Sequence, residues 1–160
     1  MSGTIVVTGA TSGLGLALVR QLKDADYQPV LTGRNKAKVD AVAAELGVIG
    51  YQMDVADAAS IQQVSAQIIE ELGPVEGLIN NAGIWLEGDF ETYTAAQIQK
   101  VLDTNTTGTI LTTHAFLPNM LARGSGTVIN TVSTGALYCR KLISVYSASK
   151  WAIRGFAGCM

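Results

Sequence analysis

Charge is scarce in this sequence: Asp, Glu, Lys and Arg make up 15% of its 160 residues, against about 25% in an ordinary soluble domain. The net charge is −2 and no basic block occurs, so the electrostatic footprint of a nucleic-acid binder is missing. Long hydrophobic runs are missing as well. No uninterrupted apolar stretch approaches the ~18 residues that a membrane span requires, and the opening MSGTIVVTGA has neither a basic leader nor an extended apolar segment. These absences predict a soluble, cytoplasmic protein without a membrane or nucleic-acid partner. Only two cysteines occur, Cys139 and Cys159, which excludes a disulfide scaffold and reads as two reduced thiols filling small apolar spaces. The single histidine, His114, has no metal-ligand constellation around it and is given a structural role. What remains is a chain that is 48% apolar with a mean hydropathy of +0.29. That mixture implies much buried surface, and its length suits one domain over residues 1–160.

Short β-branched runs alternate with longer amphipathic stretches. Thr4 to Val7 has no polar alternation, as expected of a strand in a parallel sheet covered on both faces. A glycine turn then opens a helix with Leu14, Leu18 and Leu22 spaced four apart. Pro29 to Thr32 is the second strand, and Val39, Val42, Ala43 and Leu46 form the apolar stripe of the second helix. Ile49 to Met53 reads as a third strand, Asp57 as the cap of a third helix through Ile61, Val64, Ile68 and Leu72, and Val75 to Asn80 as a fourth strand. Thr94 and Gln97 have capping-box spacing ahead of Ile98, Val101 and Leu102. This helix is expected to break or shift near Asn105 to Gly108 and to resume through Leu117. Thr127 to Val132 is a fifth strand, and a last helix starts near Ser144. No linker, repeat period or low-complexity segment interrupts the series. The pattern predicts an α/β, Rossmann-like doubly wound parallel sheet with strand order 3-2-1-4-5, whose ligand site lies beyond the carboxyl ends of the strands at the switch point.

The residues at those strand ends carry the chemistry. TGATSGLG follows the first strand, with Gly9, Gly13 and Gly15 where a tight turn feeds a helix N-terminus. Bare glycines let the backbone approach a pyrophosphate, and the helix end offers unpaired N–H groups. The second strand ends in Thr32-Gly33-Arg34 with no acid for a ribose hydroxyl, so Arg34 favours the 2′-phosphate of NADP over NAD. Tyr146 and Lys150 in YSASK lie four apart, which puts both on one helix face. A nearby ammonium stabilises a phenolate and suits tyrosine to acid/base work. Ser133 ends the fifth strand and is positioned to hydrogen-bond a substrate carbonyl oxygen. Trp85 and Leu86 follow NNAG, and Leu137 and Tyr138 follow Ser133; these four are candidates for a substrate cleft, with core or interface packing as the alternative. Arg140 and Lys141 read as a solvated loop, with contact to an acidic substrate as the alternative.

Together these motifs resemble the short-chain dehydrogenase/reductase family of the Tyr-x-x-x-Lys type, and the resemblance runs from Thr4 to the end of the chain. It implies cofactor contacts from Gly9, Thr11, Ser12, Gly13, Leu14 and Gly15 in the first turn. Further contacts are implied from Asp54 and Val55 in MDV, with Asp54 at the adenine, and from Asn81, Ala82 and Gly83 in NNAG. By the same resemblance Tyr146 is the acid/base, and Lys150 tunes Tyr146 and holds the nicotinamide ribose. Ser133 positions substrate oxygen, and the backbone of Asn105 in NTTG helps order a water relay. The implied reaction is hydride transfer between NADPH and a small carbonyl or alcohol substrate, without a metal. Relative to the usual family length the chain is expected to lack the last strands, leaving the fifth strand as an edge. With the low charge, that predicts a homodimer or homotetramer through the helices bearing Leu111 and Tyr146. The alternative function is a dinucleotide-binding module with little or no turnover.

Overall fold

Alternate residues of each central strand face opposite layers, and this divides the core in two. The computed structural model describes residues 3–160. Its strands are β1 (Thr4–Val7), β2 (Gln28–Gly33), β3 (Ile49–Gln52), β4 (Val75–Asn80) and β5 (Thr127–Asn130). All pairs are parallel, in the order β3-β2-β1-β4-β5. The helices are α1 (Gly13–Asp24), α2 (Lys36–Leu46), α3 (Ala58–Leu72), α4 (Ala95–Leu102), α5 (Gly108–Arg123) and α6 (Ser144–Cys159). Val6, Val30 and Leu78 point to one side, where Val64 and Ile68 of α3 and Phe116 and Met120 of α5 cover them. Val7, Leu31 and Ile79 point to the other, against Val19 of α1 and Val39 and Leu46 of α2. Neighbouring strands keep these sets aligned, with Val6 opposite Val30 and Leu78. This is the sheet that the uninterrupted apolar runs predict.

Local chemistry sets the helix ends. The Asn35 and Asp57 side chains accept from the backbone N–H groups of Lys38 and Ala59 at the starts of α2 and α3. Thr94 and Gln97 form the expected capping box of α4. The expected shift near Asn105 is a π-helical turn over Asp103–Thr107, which joins α4 to α5 without a loop. Immediately after it, a β-carbon on Gly108 would fall 2.3 Å from the Val55 carbonyl oxygen, so only glycine lets α5 start against that loop.

Four expectations need correction. Leu14 belongs to the solvent face of α1, 58% exposed, while Gly15 and Val19 are buried. Leu18 and Leu22 do pack against the core, and Leu14 is turned outward because Gly15 packs under Asn81 and the Gly9 carbonyl, where no side chain fits. The fifth strand ends at Asn130 rather than Val132, since its ladder to β4 runs only from Gly77–Thr127 to Asn80–Asn130. Cys139 and Cys159 are free thiols but not apolar fillers, for both are exposed. His114 is exposed on α5 and contributes nothing to the core.

Candidate active site

Beyond the carboxyl ends of β1 to β4 lies a cleft of about 460 Å³. Gly9, Thr11 and Ser12 line it from the turn after β1, Arg34 from the end of β2, Asp54 and Val55 from the turn after β3, and Asn81, Ala82 and Gly83 from the segment after β4. The turn is fastened from below. Thr8 Oγ1 accepts from the backbone N–H groups of Asn81 and Ala82, both at 3.0 Å, and Asn81 Nδ2 donates to the carbonyls of Thr8 and Gly9 at 3.0 and 3.2 Å. Gly9 has a φ of +63°, and a β-carbon there would stand 2.7 Å from Ala82 Cα. Glycine is thus required twice over, by conformation and by the close pass of the NNAG backbone.

Five residues of the expected cofactor set do not line this cleft: Tyr146 and Lys150 belong to a second cluster, and three belong to the first turn. Gly13 opens α1, Leu14 faces solvent and Gly15 lies beneath the turn; they shape the turn rather than its surface. Conversely, Gly33, Asn35, Lys38, Met53, Ile84 and Thr104 line the cleft without having been singled out by sequence. Lys38 had a readable signal, since it sits in the first turn of α2 after the Asn35 cap. Among the described residues, the nearby ion pairs are Arg20–Glu45 and Lys36–Asp40, so neither Arg34 nor Lys38 is neutralised by a carboxylate. Asp54 accepts from the Ala56 N–H at 2.9 Å, which folds its own turn.

Gly83 joins this cleft to a second cluster. A β-carbon on Gly83 would lie 3.3 Å from Asn105 Oδ1 and 3.5 Å from Lys150 Nζ. Helix α6 turns Tyr146 and Lys150 to one side, with Nζ 5.9 Å from the phenol centroid. Lys150 is buried and donates to the Thr131 carbonyl at 2.8 Å; burial pushes its ammonium below the ordinary lysine value. Ser133 caps a short 3₁₀ turn, its Oγ accepting from the Gly135 N–H at 3.1 Å. A β-carbon on Gly135 would stand 3.5 Å from Tyr146 Cε1 and 3.6 Å from Ser133 Oγ, so the phenol and the hydroxyl flank the same glycine.

Asn105 is fully buried in the π-helical turn. Its Oδ1 accepts from Ile84 N–H at 2.7 Å, and its Nδ2 donates to the Ile84 carbonyl at 3.0 Å and to Ser149 Oγ at 3.1 Å. Ser149 Oγ in turn donates to the Tyr146 carbonyl at 2.6 Å. The amide therefore ties the NNAG segment to the helix of Tyr146, a side-chain role that spacing did not reveal. The Asn105 carbonyl accepts from Thr109 Oγ1 at 3.0 Å. Trp85 packs against Tyr146 in a tilted contact, with ring centroids 4.4 Å apart at 54°. No group of three His, Cys, Asp or Glu residues that could hold a metal occurs among the described residues, and none of their helices is long and apolar enough to cross a membrane.

A parallel sheet in this order, with a glycine turn feeding α1 at the switch point, defines a Rossmann-like α/β domain. More narrowly, the chain belongs to the short chain dehydrogenase family, whose sequence profile matches residues 3–160. It is similar to the ketoacyl reductase HetN of Nostoc sp., with 35% identity over 152 residues, 92% of this chain and 53% of that protein. It is also 35% identical over 164 residues to the serine 3-dehydrogenase of Agrobacterium fabrum, covering 98% of this chain and 64% of that one. Among solved structures, an actinorhodin polyketide ketoreductase with NADPH superimposes with a TM-score of 0.94 at 33% identity, covering 99% of this chain and 63% of the other. The chain thus spans roughly half to two thirds of the length of these relatives.

Proposed function

We propose that this chain carries the cofactor cleft and the proton-transfer site of an NADP(H)-dependent oxidoreductase that interconverts a small carbonyl compound and its alcohol. The observation that carries the reading is the junction at Gly83, where the cleft of the glycine turn meets Asn105 and Lys150 beside Tyr146.

A phosphorylated dinucleotide fits the residues present. Gly9, Thr11, Ser12 and Ala82 offer a wall of backbone for a pyrophosphate at the start of α1, and Arg34 and Lys38 are cations without carboxylate partners suited to a 2′-phosphate. Asp54 and Val55 border the adenine end, and Gly83, Tyr146 and Lys150 the nicotinamide end. When bound, NADPH supplies the hydride that reduces the carbonyl carbon, and NADP⁺ accepts it in the reverse direction.

The chain's own residues handle the proton and the geometry. Tyr146 donates its phenolic proton to the carbonyl oxygen during reduction and takes it back during oxidation. Ser133 Oγ accepts from Gly135 N–H, which leaves its own hydrogen to hold the same substrate oxygen. Lys150 is held by the Thr131 carbonyl beside the phenol ring, and Asn105 braces the segment on which Gly83 and Ile84 sit. Copies of the chain associate through exposed apolar residues on α5, β5 and α6, among them Leu121, Ile129 and Trp151.

The test is Tyr146→Phe. Removing the proton donor is expected to cut carbonyl turnover by about 10²-fold or more, while the NADPH dissociation constant, read by nicotinamide fluorescence, changes little. Unchanged turnover would overturn the assignment.

A further inference from the structure

The loop ahead of α6 carries a cation that the reaction above does not use. The Arg140 guanidinium lies 5.8 Å from the centre of the Trp85 ring, and Trp85 packs against Tyr146 with centroids 4.4 Å apart. Glu87 fixes this order from outside. One of its carboxylate oxygens accepts from Arg140 Nη2 at 3.0 Å and the other from Trp85 Nε1 at 3.0 Å. The two loops concerned are held together independently of Arg140. The single hydrogen of Tyr93 Oη is shared between the carbonyls of Gly88 and Leu142, at 2.9 and 2.8 Å, and Gly88 N–H donates to the Leu142 carbonyl at 2.8 Å.

An ion pair with side chains 61% and 43% exposed adds little to stability, and the loops already have their backbone ties. What the pair does achieve is to pin a guanidinium one aromatic ring away from the reactive phenol. Glu87 engages a single nitrogen of the fork, and a guanidinium has five N–H donors matched to carboxylate and sulfonate geometry. Lys150, the other cation near Tyr146, is buried and already donates to Thr131. Trp85, Leu137 and Leu142 are exposed apolar surface on the same two loops, against which the carbon skeleton of a small acid can pack.

We infer that Arg140 selects the substrate: it binds the carboxylate or sulfonate of a small hydroxy or oxo acid whose reacting carbon lies at Tyr146, and Glu87 competes with that anion. The inference rests on the oxidoreductase reading and adds the class of substrate. Glu87 acts as a stand-in that an anion displaces from part of the guanidinium.

Calorimetric titration of the NADP⁺-saturated chain with 3-hydroxybutanoate and with its uncharged methyl ester tests it. The acid is expected to bind about tenfold or more tightly than the ester. Arg140→Gln should weaken the acid alone and abolish the difference, Arg140→Lys should keep part of it, and Glu87→Gln should tighten the acid. Lys141→Gln, next along the loop, should change nothing. A pair that merely clamps the loops predicts instead that the Arg140 and Glu87 variants shift both ligands in the same direction. That outcome, or an acid-to-ester ratio untouched by Arg140→Gln, would overturn the inference. NADPH binding is measured on the same preparations. Its absence from a folded wild-type chain would overturn the oxidoreductase reading, whereas its persistence with an unchanged ratio would overturn the substrate assignment alone.

Discussion

Asn105 does its work through three hydrogen bonds from a single side chain. Both polar groups of the Ile84 peptide and the hydroxyl of Ser149 meet one fully buried amide. Replacing it with alanine removes all three, and leaving a buried polar group unpaired costs about 1–3 kcal/mol. Asn105→Ala is therefore expected to lose about 2 kcal/mol or more of stability in urea unfolding; a loss near zero would mean that water or a shifted backbone replaces the clamp. Sequence identified Asn105 through its resemblance, for its backbone, and did not reveal the side-chain clamp. Its partners Ile84 and Ser149 are remote along the chain, and nothing in the spacing of NTTG encodes that meeting. Tyr146 and Lys150 were legible because their relation is local, four residues on one helix. Arg140 shows the converse: its loop position suggested solvent, and only the fold brings Glu87 and Trp85 to it.

At the scale of elements, β3 and α3 are joined by a single polar contact of consequence. Tyr51 Oη on β3 donates to Glu71 Oε2 on α3 at 2.6 Å. Burial, with the Glu71 hydrogen bond and charge beside it, pushes the phenol up to about 12. An unfolded tyrosine ionises near ~10, so between these values the folded state holds the proton that the unfolded state has lost. The contribution is complete below pH ~10 and disappears as the pH rises toward ~12. Tyr51→Phe should flatten this fall in the urea midpoint, and an identical alkaline profile in the variant would contradict it. The elements themselves were largely legible. Asp57 and Thr94 announced α3 and α4, and β-branched runs announced the strands. Periodicity alone could not turn Leu14 outward on α1, because the residue that sets its direction, Gly15, is defined by what packs on it rather than by its own hydropathy. Nor could it find the end of β5, which is decided by the length of the β4 partner.

For the whole molecule, the exposed Leu121, Ile129 and Trp151 are the observation behind the proposed association of copies. Sedimentation at micromolar concentration should give a mass that is a multiple of the chain's, and a stable monomer would refute that part of the account. The strand order was legible because short crossovers of one hand leave few topologies open. The site followed from it, since every residue of the cleft sits at a strand end or the turn after it, or, like Lys38 and Thr104, in a neighbouring helical turn. All of those lining residues fall between Gly9 and Thr104, so cofactor binding tests the account without requiring any other part of a catalytic cycle. The most direct measurement is a parallel fluorescence titration of the folded chain with NADPH and NADH. Two cations unpaired with carboxylates among the described residues, Arg34 after β2 and Lys38 in the first turn of α2, predict saturable binding of NADPH about tenfold or more tighter than NADH. Failure of a folded chain to bind either nucleotide, or equal affinity for both, would contradict it.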